Sequence, residues 1–226
     1  RAQRALEQAH KLNPLNYSTV ILLSDVYVAS GRWDLLEPLV REYLNHDQKR
    51  PELWDRLARS LYERNRPGDA IATLRHEASL DGSPSVWNNM ALAYLSAGDF
   101  DRADRFFGKA WEASSSEPKS AALLFNFGQF LYAAGKHEKH VELYSQVENQ
   151  LLANSDDARL WGALSRYLAS LRETGQEQTA IDIAERYLSA PDRPPQGAAE
   201  IFTFVLYSYA IAGSVGERTA SRVREG

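Results

Sequence analysis

The chain has 226 residues, a formal net charge of −4 and 44% hydrophobic residues, which fits one or two compact domains or six to seven short repeats. It has no cysteine, so disulfides, thiolate nucleophiles and cysteine metal sites are excluded. The acidic balance argues against a nucleic-acid binder, which ordinarily carries a basic face. No apolar run reaches the roughly 18 residues needed to cross a bilayer. The longest, Phe202 to Ala212, is interrupted by Thr203 and Ser208. The chain begins at Arg1, without a visible signal peptide, and is expected to be an excerpt of a longer protein. Cytoplasm and periplasm both fit.

Residues 1–16 predict a lone helix with Ala2, Leu6 and Ala9 on its inner face, ended by Asn13-Pro14. Residues 17–50 predict a helical hairpin. Val20, Leu23, Ser24 and Tyr27 line its first helix, and Trp33, Leu36, Val40 and Tyr43 its second. Pro38 predicts a late start or a bend in that second helix. Residues 51–83 repeat the pattern with Trp54, Leu57, Ala58 and Leu61, and Pro67 suits the first position of the following helix. Residues 84–120 carry it most clearly: Trp87, Met90, Ala91 and Tyr94, then Gly98, then Ala103, Phe107 and Ala110. A polar insertion, Ser114-Ser115-Ser116-Glu117-Pro118, follows. Residues 121–157 hold Leu124, Phe127, Gly128 and Leu131, then a second helix expected to run unbroken from about Glu138 to Leu152. Asn154 to Asp157 cap the next helix. Residues 158–195 hold Trp161, Leu164, Tyr167, Leu168 and Leu171, then Ala180, Ala184 and Tyr187, closed by the stiff Pro191–Pro195 linker. Residues 196–226 predict one strong first helix and a polar remainder.

The turn residues Gly31, Asn65, Gly98, Gly135, Gly175 and Gly213 recur at spacings of 34, 33, 37, 40 and 38. Gly and Asn tolerate the positive φ at which a helix stops and reverses. A small residue follows five positions later as Ala70, Ala103 and Ala180, whereas Leu36, His140 and Arg218 stand there in other repeats. This in-phase pattern, covering nearly the whole chain, resembles the tetratricopeptide repeat (TPR) family. The resemblance implies an all-α right-handed superhelix, an α-solenoid of helix-turn-helix repeats, forming a single array over residues 1–226. It also implies a concave face, made by the first helices, on which a partner's peptide or helix lies.

Little in the sequence points to chemistry. No phosphate-binding glycine loop, nucleophile elbow or H-E-x-x-H motif occurs. His137 and His140 have helical spacing for two metal ligands, but the register places His137 where Trp33 and Phe100 pack and His140 at the small interhelix position. His10, His46 and His76 read as surface residues. Trp33, Trp54 and Trp87 read as core rather than as base-stacking platforms. The aromatic run Phe202, Phe204, Tyr207 and Tyr209 reads as a buried helix rather than a membrane contact. No cofactor, no metal and no catalysis are expected.

The candidate binding residues are therefore the non-core positions of the first helices. They are Glu52, Asp55, Arg59, Tyr62 and Glu63; then Asn88, Asn89 and Leu92; then Phe125, Asn126, Gln129 and Tyr132; then Ser165 and Arg172. Asn89 matches an asparagine with which some co-chaperone TPR domains grip a terminal carboxylate, but the flanking basic residues are absent, so that ligand is not predicted. The expected function is a protein-interaction scaffold for another protein or peptide, with no nucleic acid and no membrane span. The open ends of such an array also allow self-association. Two alternatives stay open: a sensor array controlling an effector elsewhere in a longer parent, and a helical-repeat RNA binder, which the acidic Glu52, Asp55 and Glu63 disfavour.

Overall fold

The computed structural model describes residues 2–114, 118–153, 157–189, 201 and 203. Among these there are twelve α-helices and no strand. The Pro191–Pro195 linker, the Gly213 turn, Arg218 and the aromatic run from Phe202 to Tyr209 lie outside the described residues, as do Ser115 to Glu117 and Asn154 to Asp156. The chain divides into two compact units, Arg1–Glu117 and Pro118–Gly226.

The first unit contains α1 (Ala2–Leu12), α2 (Tyr17–Ala29), α3 (Trp33–Leu44), α4 (Pro51–Glu63), α5 (Pro67–Leu80), α6 (Pro84–Ser96) and α7 (Phe100–Ala113). Each helix packs on the next. The second contains α8 (Ala121–Ala133), α9 (His137–Ser145), α10 (Glu148–Leu151), α11 (Ala158–Glu173) and α12 (Glu177–Ser189). Here α11 packs against α8, α9, α10 and α12. No helix among the described residues is long and apolar enough to cross a membrane.

One turn makes every hairpin. Gly31, Asn65, Gly98, Gly135 and Gly175 all have φ between 57° and 76°. The residue after each sends its N–H back to a carbonyl in the last turn of the first helix: Arg32 to Tyr27, Arg66 to Leu61, Asp99 to Tyr94, Lys136 to Leu131 and Gln176 to Leu171, at 2.7–2.9 Å. This left-handed closure satisfies carbonyls that the helix end would otherwise orphan. Starts are equally explicit. Pro51, Pro67 and Pro84 occupy first-turn positions where no N–H is needed. Asn16, Asp99, Ser120 and Asp157 accept a backbone N–H from the first turn.

The apolar spacing predicts the inner stripes of α2 and α11, whereas no residue of α1, Ala2, Leu6 and Ala9 included, is buried. Val20, Leu23, Ser24 and Tyr27 are buried in α2, and Leu164, Tyr167, Leu168 and Leu171 in α11. Ala70, Ala103 and Ala180 are wholly buried. Replacing Ala103 with leucine therefore forces extra volume into a closed contact, and we expect a loss of about 1–3 kcal/mol by urea unfolding. An unchanged midpoint contradicts this packing.

Several expectations are corrected. Helix α3 begins at Trp33, so the late start is corrected, and it runs through Pro38. Apolar Leu36, Leu39, Val40, Tyr43 and Leu44 are buried on both sides of it, and that packing outweighs one missing hydrogen bond. The second helix of residues 121–157 is broken: α9 ends at Ser145 and α10 starts at Glu148. Gln150 spans the residues before α8 by accepting from the Lys119 N–H at 3.1 Å and donating to the Lys119 carbonyl, which holds α10 as a separate turn. Phe100 is 60% exposed rather than packed, and Trp33, Trp54 and Trp87 are only half-buried. The exposed edge of the Trp54 ring donates its N–H to the Gln48 carbonyl at 2.8 Å. His10 and His76 are half-buried, with His76 stacked on Trp54 at 4.3 Å.

Candidate functional site

The candidate residues lie on the first helices of the hairpins. In the first unit these helices are α2, α4 and α6. Asp55 of α4 accepts a 2.6 Å hydrogen bond from Asn89 of α6, which ties two successive first helices together. Burial holds the Asp55 carboxyl above the usual range despite that bond and the nearby Arg56 and Arg59. Arg56 pairs with Asp25 of α2 at 2.7 Å and donates to the Glu52 carbonyl. Glu52 also accepts from the Tyr17 hydroxyl. Arg59 is exposed, its guanidinium 5.6 Å from the Trp33 ring. Tyr62 and Glu63 are exposed and Leu92 is half-buried. Asn88 is a correction: it is 6% exposed, so it lies within the core and offers nothing to a partner. One step along a helix is about 100°, which is enough to turn Asn88 inward while Asn89 stays at the surface.

The second unit contains a groove of about 410 Å³ between α8 and α11. Phe125 and Tyr132 form one wall, and Ala158, Gly162, Ser165, Arg166 and Ala169 the other. The small residues on α11 leave the space. A Cβ added at Gly162 would stand 2.8 Å from the Phe125 ring and 3.0 Å from Arg166 Nη1, so a larger residue here must displace the ring and the guanidinium. Arg166 donates to the Gly162 carbonyl at 2.8 Å and lies 4.7 Å over the Phe125 ring, which fixes both groups. Tyr132 is 37% exposed and meets His137 edge-on at 5.2 Å. Gln129 is exposed and Asn126 half-buried. Arg172 lies one turn beyond Ala169, 3.6 Å from Glu177.

Phe125, Tyr132 and Ser165 were legible as candidates and converge on this groove. Gly162, Arg166 and Ala169 were missed. Gly162 and Ala169 belong to a run of small residues on α11 facing the aromatic positions of α8, visible only once the two helices are paired.

Between α9 and α11 lies a polar cluster that sequence spacing did not reveal. The Ser170 hydroxyl stands 2.8 Å from His140 Nδ1 and 3.1 Å from His137 Nδ1. It has one proton to give, so one of the two imidazoles carries its proton on Nδ1 and donates. Ser170 and His140 are fully buried. Burial, with smaller contributions from His137 and Arg166, pushes His140 down to about 3. A neutral, sealed imidazole beside a sealed hydroxyl cannot act as base and nucleophile on an outside substrate. No three His, Asp or Glu side chains converge on a metal position among the described residues.

No family model matches the sequence, and no curated protein matches it. Solved structures do. Yeast Tom70 aligns over 99% of this chain and 46% of its own, at TM-score 0.72 and 16% identity. BtubC from P. vanneervenii aligns over 82% and 85%, at TM-score 0.64 and 18% identity. YrrB, described as a TPR protein with an unusual peptide-binding site, aligns over 88% and 98%, at TM-score 0.55 and 11% identity. The fold is that of the TPR proteins. At these identities the likeness is one of architecture. In TPR terms, the groove of the second unit lies between two successive first helices.

Proposed function

We propose that the chain is a non-catalytic protein-interaction scaffold, and that the groove between α8 and α11 holds a segment of a partner polypeptide. The observation that carries this reading is the groove itself: about 410 Å³, open, with an aromatic wall, a fixed guanidinium and a facing wall of small residues. Such sites favour a few aromatic and arginine anchors over a broad contact area. The peptide-binding site named for YrrB agrees with this use of the fold. Asp55, Arg59, Tyr62, Asn89 and Leu92 form a second candidate face on the first unit.

The test is selection of a random 12-residue phage-displayed library on the full chain, followed by titration of the selected peptides. Phe125→Ala or Tyr132→Ala is expected to weaken binding by about 1–3 kcal/mol, with helicity unchanged. Arg59→Glu should weaken peptides that select the first unit, and less so at high salt. Arg105→Glu and Glu142→Arg, on second helices, should leave binding intact. Loss of binding in those two variants, with none in the groove variants, overturns the site.

A further inference from the structure

Glu77 breaks the pattern of its repeat. It occupies in α5 the register that Ala110 holds in α7 and Tyr43 in α3, both inside the core. It is 3% exposed, and its Oε2 has no hydrogen-bond partner. A carboxylate placed so is costly, because nothing replaces the water it lost.

Its surroundings make the charge worse. Helix α5 packs on α4 and α6. From α4 comes Asp55, and from the end of α5 comes Asp81; both oppose ionisation of Glu77. The cations of α4 are occupied elsewhere, Arg56 by Asp25 and Arg59 over Trp33. On α5 itself, Arg75 donates to the Tyr94 hydroxyl at 3.0 Å and His76 stacks on Trp54. Helix α6 has no charged residue and brings Asn88 and Asn89. Burial first, then Asp55, then Asp81, raises the Glu77 carboxyl to about 8. The same seam carries the Asp55–Asn89 bond between α4 and α6.

We propose that Glu77 is a proton-operated latch on the seam of α4, α5 and α6. Protonated, it keeps the seam closed. Ionised, it opens the seam and releases the face that carries Asp55, Asn89 and Leu92. The latch works in the neutral range, where an ordinary glutamate has long since ionised. An opened seam hydrates the carboxyl and returns it to its usual range. The opening equilibrium therefore rises about tenfold per pH unit between the two values and levels off above about pH 8.

Hydrogen exchange by mass spectrometry on the full chain reads this opening, after correction for the intrinsic pH dependence of exchange. Segments of α5 and α6 should open about tenfold more per pH unit from pH 5.5 to 7.5. Segments of α11 and α12 serve as the internal reference. Glu77→Gln should remove the slope and leave α5 and α6 more closed at pH 7.5. Asp55→Asn should make the rise level off at a lower pH, because it deletes the nearer like charge. Equal slopes in wild type and Glu77→Gln overturn the proposal. If Glu77→Gln does not fold, the carboxyl carbon shift of Glu77 in the wild-type chain is titrated beside the exchange: a midpoint above about 5.5 whose ionisation the opening of α5 and α6 follows supports the latch, and a midpoint below about 5.5, or ionisation with no rise in opening, overturns it.

Discussion

Replacing Gly128 with alanine is expected to destabilise the second unit by about 1–3 kcal/mol, although alanine is the better helix former by about 1 kcal/mol. An added Cβ would lie 2.8 Å from the Tyr144 hydroxyl and 3.1 Å from His140 Nε2. Neither neighbour can withdraw. Tyr144 and His140 are fully buried. The Tyr144 hydroxyl donates to the Leu124 carbonyl, one turn before Gly128 on the same helix, and its ring meets His140 edge-on at 4.2 Å. Displacing it strains the ring packing or leaves a buried hydroxyl unpaired. Urea unfolding measures the loss. The double variant Gly128→Ala with Tyr144→Phe separates the causes: removal of the hydroxyl frees the space, so the pair should cost less than the sum of the single changes. Strict additivity would show that Gly128 is not held by this contact.

The same site shows why part of the fold was legible and part was not. The hairpins could be read because their turns depend on local chemistry: five residues at positive φ, four of them glycine and one asparagine, recur in phase. The inner stripes could be read because helical spacing puts Leu23 and Tyr27, or Leu57 and Leu61, on one side. His140 at the small position looked like a departure from the pattern. It is a reciprocal exchange: Gly128 on α8 gives up its side chain so that His140 on α9 can be large. Reading it needs both helices at once, since each residue alone is ambiguous. The exposure of Phe100 and the half-burial of Trp33, Trp54 and Trp87 failed for a related reason. Register assigns a position to a helix face but does not say whether another helix covers its rim. In the groove, Phe125 and Tyr132 could be named from their own helix. Gly162, Arg166 and Ala169 could not, because their role comes from what α8 places opposite them.

Lowering the pH from 7 to 5 is expected to cost the second unit about 2 kcal/mol through His140. The sign follows from burial. The folded imidazole is held down to about 3, whereas the unfolded one titrates near the ordinary histidine value of 6.5. Below that value the unfolded chain takes up a proton that the folded chain refuses, so stability is complete above about 6.5 and falls by about 1.4 kcal/mol per pH unit on the way down to 3. Acid destabilises the hydrogen-bonded cluster as well. A protonated His140 must donate from both ring nitrogens, yet Nε2 has no partner, and the ring sits between the Gly128 backbone and Tyr167 at 6.3 Å. The carboxylate of Asp157, which Arg159 holds below its usual range, titrates too low to confuse the window between 7 and 5. Residue-resolved urea unfolding at pH 7, 6 and 5, read at amides of α9 and α11, measures the slope. His140→Gln keeps a polar group near Ser170 and cannot charge, so it should flatten the slope while α5 and α6 respond as before. A wild-type second unit equally stable at pH 7 and pH 5 would place His140 in contact with water and break the account of how Gly128, Tyr144 and Ser170 enclose it.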